Sequence, residues 1–123
     1  MITIPKYEEI ARTKDDAAFK EISSSLYWAY FTSKRIGNDD LYLDDVKWDK
    51  EVAPLVAECR EYGIKQIAFA STWSGAIKIV WEFVKCGCTI EGMREVPIDR
   101  ETIDPFTQEK VQEKVPALII KIN

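Results

Sequence analysis

The fold is decided by residues 64–92, IKQIAFASTWSGAIKIVWEFVKCGCTIEG. Its first part, residues 64–70, is continuously apolar from Ile67 onward instead of alternating, which is typical of a strand covered on both faces. The turn-forming residues 71–75 follow, and the apolar run after them predicts a helix over residues 72–86. A buried strand therefore leads directly into a helix.

A second strand completes this unit. Gly87 is placed to end the helix, and residues 88–96 predict a strand in which Gly92 indicates a bulge or a close backbone approach. A strand, a helix and a strand with short connections form a βαβ unit with parallel strands. Residues 97–114 are polar and turn-like. Residues 115–122 predict a final strand, which can return antiparallel beside residues 88–96.

Two helices are predicted before this unit. Residues 13–36 repeat apolar side chains along one face, and Thr13 and Asp16 have the spacing of a capping box. Gly37 is placed to end that helix. Residues 49–62 form a second amphipathic segment.

Length and composition agree with one α/β domain over residues 1–123. The hydrophobic fraction is 46% and the charged fraction is 31%, which are globular values. A domain of this length buries roughly two thirds of the surface that its unfolded chain exposes. We expect a small mixed sheet of three or four strands, with one βαβ unit and two N-terminal helices.

The residue types exclude several functions. The chain contains no histidine, which removes Ser-His-Asp and Cys-His catalysis and histidine metal ligands. Cys59, Cys86 and Cys88 fit neither a structural zinc site nor a secreted disulfide framework. We predict no catalytic residue, no metal and no cofactor. With no signal peptide and no apolar run long enough to span a membrane, we expect a cytoplasmic protein without membrane contact.

The charge is unevenly distributed. The net charge of −4 argues against direct nucleic-acid binding. Residues 39–61 contain eight acidic and three basic side chains, a local net charge of −5. One interpretation is a solvated loop and helix start. The other is an acidic patch for a basic partner, with Asp39, Asp40, Asp44 and Asp45 as the binding residues, or mimicry of nucleic acid.

The loop at residues 71–75 is a candidate ligand site. It follows the carboxyl end of a strand and opens a helix, where α/β sheets bind ligands. Backbone N–H groups with Ser71, Thr72, Ser74 and Gly75 are suited to a phosphate or carboxylate. The alternative is that Ser71 or Thr72 only caps the helix and Gly75 permits close packing. Without a base, a nucleophilic serine is not expected.

Helix 72–86 is apolar almost all round, because its charges Lys78, Glu82 and Lys85 form one narrow stripe. Such a helix is buried on most sides, either by another helix of the chain or by a second subunit. A homodimer through helix 72–86 is therefore expected if the chain leaves its outer face uncovered. Of the four tryptophans, we expect at least two in the core.

Several short motifs follow one another along the chain in a characteristic order: residues 29–41 (AYFTSKRIGNDDL), Trp48, Gly63-Ile64, Ser71–Gly75, Gly87-Cys88, Gly92, Phe106-Thr107 and Pro116–Ile119. Together they resemble a family of small uncharacterised bacterial proteins, a domain of unknown function associated with mobile elements and phages. The resemblance covers roughly residues 27–122 and implies an α/β domain with no known activity. Where that family has phenylalanine, this chain has Trp73.

We therefore predict a cytoplasmic, non-enzymatic protein that binds another protein. One alternative is a binder of a small anionic ligand at residues 71–75. Another is an acidic inhibitor or nucleic-acid mimic that uses residues 39–61. A deep pocket with convergent polar groups would favour the ligand, and a flat surface would favour the protein partner.

Overall fold

The computed structural model describes residues 2–123 and has the expected mixed α/β architecture. The elements in chain order are α1 (Pro5–Thr13), α2 (Asp16–Lys20), α3 (Ser24–Arg35), β1 (Leu41–Leu43), α4 (Val52–Tyr62), β2 (Gln66–Phe69), α5 (Ala76–Lys85), β3 (Thr89–Ile103) and β4 (Lys110–Lys121). A single 3₁₀ turn, Asp49–Glu51, leads into α4. Within residues 2–123, no helix has the length and apolar character needed to cross a membrane.

The four strands form one mixed sheet in the order β1-β2-β4-β3. β1 is parallel to β2, and β4 is antiparallel to both of its neighbours. β2 and β3 therefore run in the same direction, as the βαβ pattern predicts, but β4 lies between them. β1 was not predicted as a strand, because its three residues stand inside the acidic segment.

β2 is covered on both faces, as its apolar run predicts. Ile67 and Phe69 point into the main core, which the helices share, and Ala68 points into a smaller cluster on the other face of the sheet. All three are at most 3% exposed. On the second face, the side chain of Asn38 donates to the carbonyl of Pro97 at 3.1 Å and ties β3 to the loop before β1.

The hairpin of β3 and β4 is longer than the sequence indicates. The predicted strands end at residue 96 and begin at residue 115, yet the ladder continues from Glu101 to Ile103 against Lys110 to Gln112. All six residues are exposed. Ile103 and Val111 are the two apolar residues among them, which is too few to mark this stretch as strands. The predicted bulge at Gly92 is confirmed, since the register slips there and Gly92 has φ 142°.

The predicted helix over residues 13–36 is wrong, because the chain breaks it twice. Lys14 adopts a left-handed conformation (φ 53°), and Asp15 rather than Thr13 caps α2 by accepting from Ala17 N and Ala18 N. The hydroxyl of Thr13 instead donates to a carbonyl of α1. At the second break, the backbone of Ser23 is extended, and its N–H donates to Glu58 Oε1 at 2.6 Å.

Candidate functional site

Helix α5 is apolar on two opposite sides. Ile79 and Phe83 are 2% and 0% exposed and pack into the main core. On the other side, Ile77, Trp81 and Val84 are 83%, 56% and 38% exposed. Their spacing of i, i+4 and i+7 aligns them along one helical face. The predicted all-round apolar character is therefore present, and the outer side is uncovered within residues 2–123.

The apolar surface continues beyond the helix. Trp73 stands one turn before Ile77, and its ring contacts that of Trp48 with centroids 6.4 Å apart. These two rings are 48% and 56% exposed. We call Trp73, Ile77, Trp81 and Val84 the outer stripe, with Trp48 beside it. At the usual size of such side chains its area is on the order of 600 Å², the upper end of what a monomeric protein exposes in one patch.

The expectation that at least two tryptophans lie in the core is wrong. The remaining one, Trp28 on α3, is 60% exposed, so all four are about half exposed. Tyrosines fill the core instead: Tyr7 and Tyr30 are fully buried. A tyrosine can stay there because its hydroxyl finds a partner, and the hydroxyl of Tyr30 donates to Glu8 at 2.7 Å.

The start of α5 positions Trp73. The helix begins at Ala76, four residues later than predicted, and Gly75 is its N-cap without any side-chain cap bond. Ser71 and Thr72 therefore do not cap the helix; Ser71 Oγ accepts from Trp73 N at 3.0 Å. A Cβ atom on Gly75 would stand 3.1 Å from Trp73 Cδ1. The predicted close packing at Gly75 is thus the approach of this indole ring.

The structure brings the predicted ligand residues Ser71, Thr72, Ser74 and Gly75 into one loop at the carboxyl end of β2. The oxygen of Ser71 already accepts a hydrogen bond, and the indole of Trp73 covers Gly75. Asp44 and Asp45 leave the parallel strand β1 at the same edge of the sheet. Anion binding at this loop stays a prediction.

The four predicted acidic binding residues do not form one patch. Asp39 and Asp40 precede β1, whereas Asp44 and Asp45 follow it, about 13 Å further along an extended strand. The side chain of Asp40 is 11% exposed and is paired with the guanidinium of Arg94 on β3. It also accepts from Gln66 Nε2 at 2.9 Å. Asp40 is therefore part of the fold.

We expect Asp40→Asn to lower the free energy of unfolding by about 1–2 kcal/mol, because it weakens the pairing with Arg94 and the bond from Gln66. The matched variant Asp45→Asn removes an exposed charge and should change it by less than about 0.5 kcal/mol. Urea denaturation of both variants measures the difference. Equal losses would show that Asp40 does not hold the strands together.

The acidic excess collects in a different place. Five carboxylates line an open cleft of about 650 Å³ between the α2–α3 junction and α4: Glu21, Asp45, Glu51, Glu58 and Glu61. Lys50 is the one basic residue in its lining, which also includes the apolar Ile22, Val46 and Leu55. The carboxylate of Glu58 is held by the hydroxyl of Tyr7 and the N–H of Ser23. The net charge of −5 over residues 39–61 predicts an acidic surface, but Glu21 lies outside that segment.

Two of the three cysteines, Cys59 and Cys88, are buried and do not offer thiol chemistry. Burial raises the pKa of Cys59 to about 12, and burial also raises the pKa of the Cys88 thiol. Both side chains are therefore protonated near neutrality, and only a thiolate is a strong nucleophile. Among residues 2–123, no three or more His, Cys, Asp or Glu side chains are arranged to hold a metal ion.

These features define a small α/β protein whose most distinctive surface is an uncovered apolar helix face. The family model of a domain of unknown function, DUF7698, matches residues 25–122. The chain belongs to this family, and the expected resemblance to a domain of unknown function is confirmed. No curated protein and no solved structure matched the chain. The matched range contains the whole outer stripe and begins within α3.

Proposed function

We propose that the chain is a non-enzymatic binding protein that docks another protein chain through the outer stripe. The observation that carries this proposal is the two-sided helix α5, whose exposed Ile77 and Trp81 stand opposite the buried Ile79 and Phe83. Exposed apolar patches of this size mark interaction sites. Tryptophan is also the residue type most enriched among the anchors of protein interfaces.

The shape of the surface supports a protein partner over a small molecule. The outer stripe is a ridge on a helix, whereas small-molecule sites are concave. A macromolecular surface is needed to cover a ridge of this length.

A cytoplasmic location is part of the same proposal. All three cysteines are unpaired, which suits a reducing cytoplasm. An origin in bacteria and an association with mobile elements and phages rest on the family resemblance alone.

A second candidate function uses the acidic cleft. Its five carboxylates and single lysine suit a basic segment of a partner protein, and complementary charge speeds the encounter of two proteins. The acidic inhibitor or nucleic-acid mimic predicted for residues 39–61 would use this cleft, because four of the five carboxylates belong to that range.

A photo-crosslinking amino acid at residue 77 tests the outer stripe in cells of the source organism. We expect a discrete adduct with a protein, because Ile77 is the most exposed residue of the stripe. The matched control carries the same group at residue 106, where Phe106 is 94% exposed on the hairpin turn. Absence of an adduct at residue 77, or an identical adduct pattern at both positions, contradicts the proposal.

A further inference from the structure

We infer that the occupant of the outer stripe is a second copy of this chain, with the two α5 helices packed antiparallel across a two-fold axis. The inference rests on the proposed docking function of the stripe. A two-fold contact is closed and uses the same patch on both subunits. It therefore needs a surface that is complementary to itself in shape, area and charge.

The shape of the stripe fits a second helix. The residues from Ile77 to Val84 form a straight ridge about 10 Å long, and helices pack by setting such ridges against one another. Trp73 extends the ridge at one end. A two-fold axis near residue 79 places Ile77 close to Trp81 of the partner subunit, and Trp73 close to Val84 of the partner subunit.

The area fits a weak dimer. A stripe on the order of 600 Å² on each copy gives a buried total of about 1,200 Å², the lower limit for specific protein interfaces. We therefore expect association that depends on concentration, with a dissociation constant in the micromolar range.

The charges beside the stripe select the antiparallel direction. Lys78, Glu82 and Lys85 lie on one flank, and Glu82 is paired with Lys85 at 2.6 Å. In an antiparallel pair, the flank that carries these three charges lies beside the same flank of the partner helix, which runs in the opposite direction. Lys78 of each subunit then lies towards Glu82 of the partner subunit, so this contact forms twice. A parallel pair would instead set this flank beside the apolar flank of Ala76 and Val80, and no ion pair would form.

Sedimentation of the purified chain across a dilution series tests this assembly. We expect the natural chain to pass from monomer to dimer as its concentration rises. Ile77→Glu should raise the dissociation constant at least about tenfold, because each dimer would then bury two carboxylates. The control Phe106→Glu adds the same charge at the hairpin turn and should leave the dissociation constant unchanged.

Charge reversal tests the register at Lys78, which is exposed, and at Glu82, whose side chain is 24% exposed. Lys78→Glu and Glu82→Lys should each weaken the dimer several-fold, and the double variant should restore it, because each contact regains opposite charges. Failure of the double variant to restore association overturns the antiparallel pairing.

A natural chain that stays monomeric at several hundred micromolar overturns the second copy as occupant. If crosslinking at residue 77 then yields an adduct with a different protein, the proposed function stands and only this inference fails. If residue 77 yields no adduct, both fail.

Discussion

Replacing Phe83 with glutamate should unfold the chain, whereas the same replacement at Trp81 should leave it folded. Phe83 is fully buried, and its ring lies 5.9 Å from that of Phe69. Losing such a side chain costs about 3–5 kcal/mol, and a buried carboxylate without a partner adds several more. Together these losses are comparable to the roughly 5–15 kcal/mol that stabilises a typical domain.

The Trp81 variant is the matched control, because Trp81 is 56% exposed and a carboxylate at this position would remain in water. Far-ultraviolet circular dichroism and urea denaturation of the two variants measure the contrast. A folded Phe83→Glu protein, or an unfolded Trp81→Glu protein, would mean that α5 presents the opposite side to the core.

Alkaline pH should destabilise the fold steeply from about pH 9 upward. Burial raises the pKa of Cys59 from 9.0 to about 12. Burial, followed by the charge of Asp44, raises the pKa of Tyr42 from 10.0 to about 12. Burial and the bond to Glu58 raise the pKa of Tyr7 further still. The folded chain therefore holds these protons more tightly than the unfolded chain does.

This difference in proton affinity means that the free energy of unfolding falls as the pH rises. Stability from a raised pKa is complete below the pKa of the unfolded chain and is lost as the pH rises towards that of the folded chain. Each such group removes up to about 1.4 kcal/mol per pH unit in this window. Urea denaturation between pH 8 and pH 12 measures the decline, and Tyr42→Phe should make it shallower above pH 10. Constant stability across this range would contradict the account.

Strand β2 and helix α5 could be predicted because their signals are local. The continuous apolar run at residues 67–70 needs no knowledge of distant residues to indicate two covered faces. Likewise, Gly63 and Gly87 have positive φ angles of 74° and 90°, one residue after α4 and two residues after α5. Only glycine adopts this conformation without strain, so both helix ends could be placed from the sequence.

The second break in the N-terminal helix, at Ser23, could not be predicted, because its cause is distant in sequence. Ser23 N–H bonds the carboxylate of Glu58, 35 residues away. The run of apolar residues through the break keeps a helical period, since Phe19, Ile22 and Leu26 all reach the main core. Tertiary contacts here override local propensity.

The candidate surface was only half predictable. The sequence alone shows that α5 is apolar around most of its circumference, because its charged residues, Lys78, Glu82 and Lys85, form one stripe. Which side is exposed depends on where the other helices pack. α3 packs on β1 and α4 packs on α5, and residues 2–123 leave the side of Ile77 and Trp81 uncovered.

Fluorine NMR of the chain labelled with 5-fluorotryptophan tests the central claim, that the outer stripe is the docking surface, most directly. The four resonances are assigned by replacing each tryptophan with phenylalanine. As the protein concentration rises from about 1 µM to about 500 µM, the account predicts that the resonances of Trp73 and Trp81 shift while that of Trp28 on α3 does not. Two results would contradict it. One is a shift confined to Trp28. The other is that all four resonances stay unchanged as the concentration rises and also when the protein crosslinked at residue 77 is added.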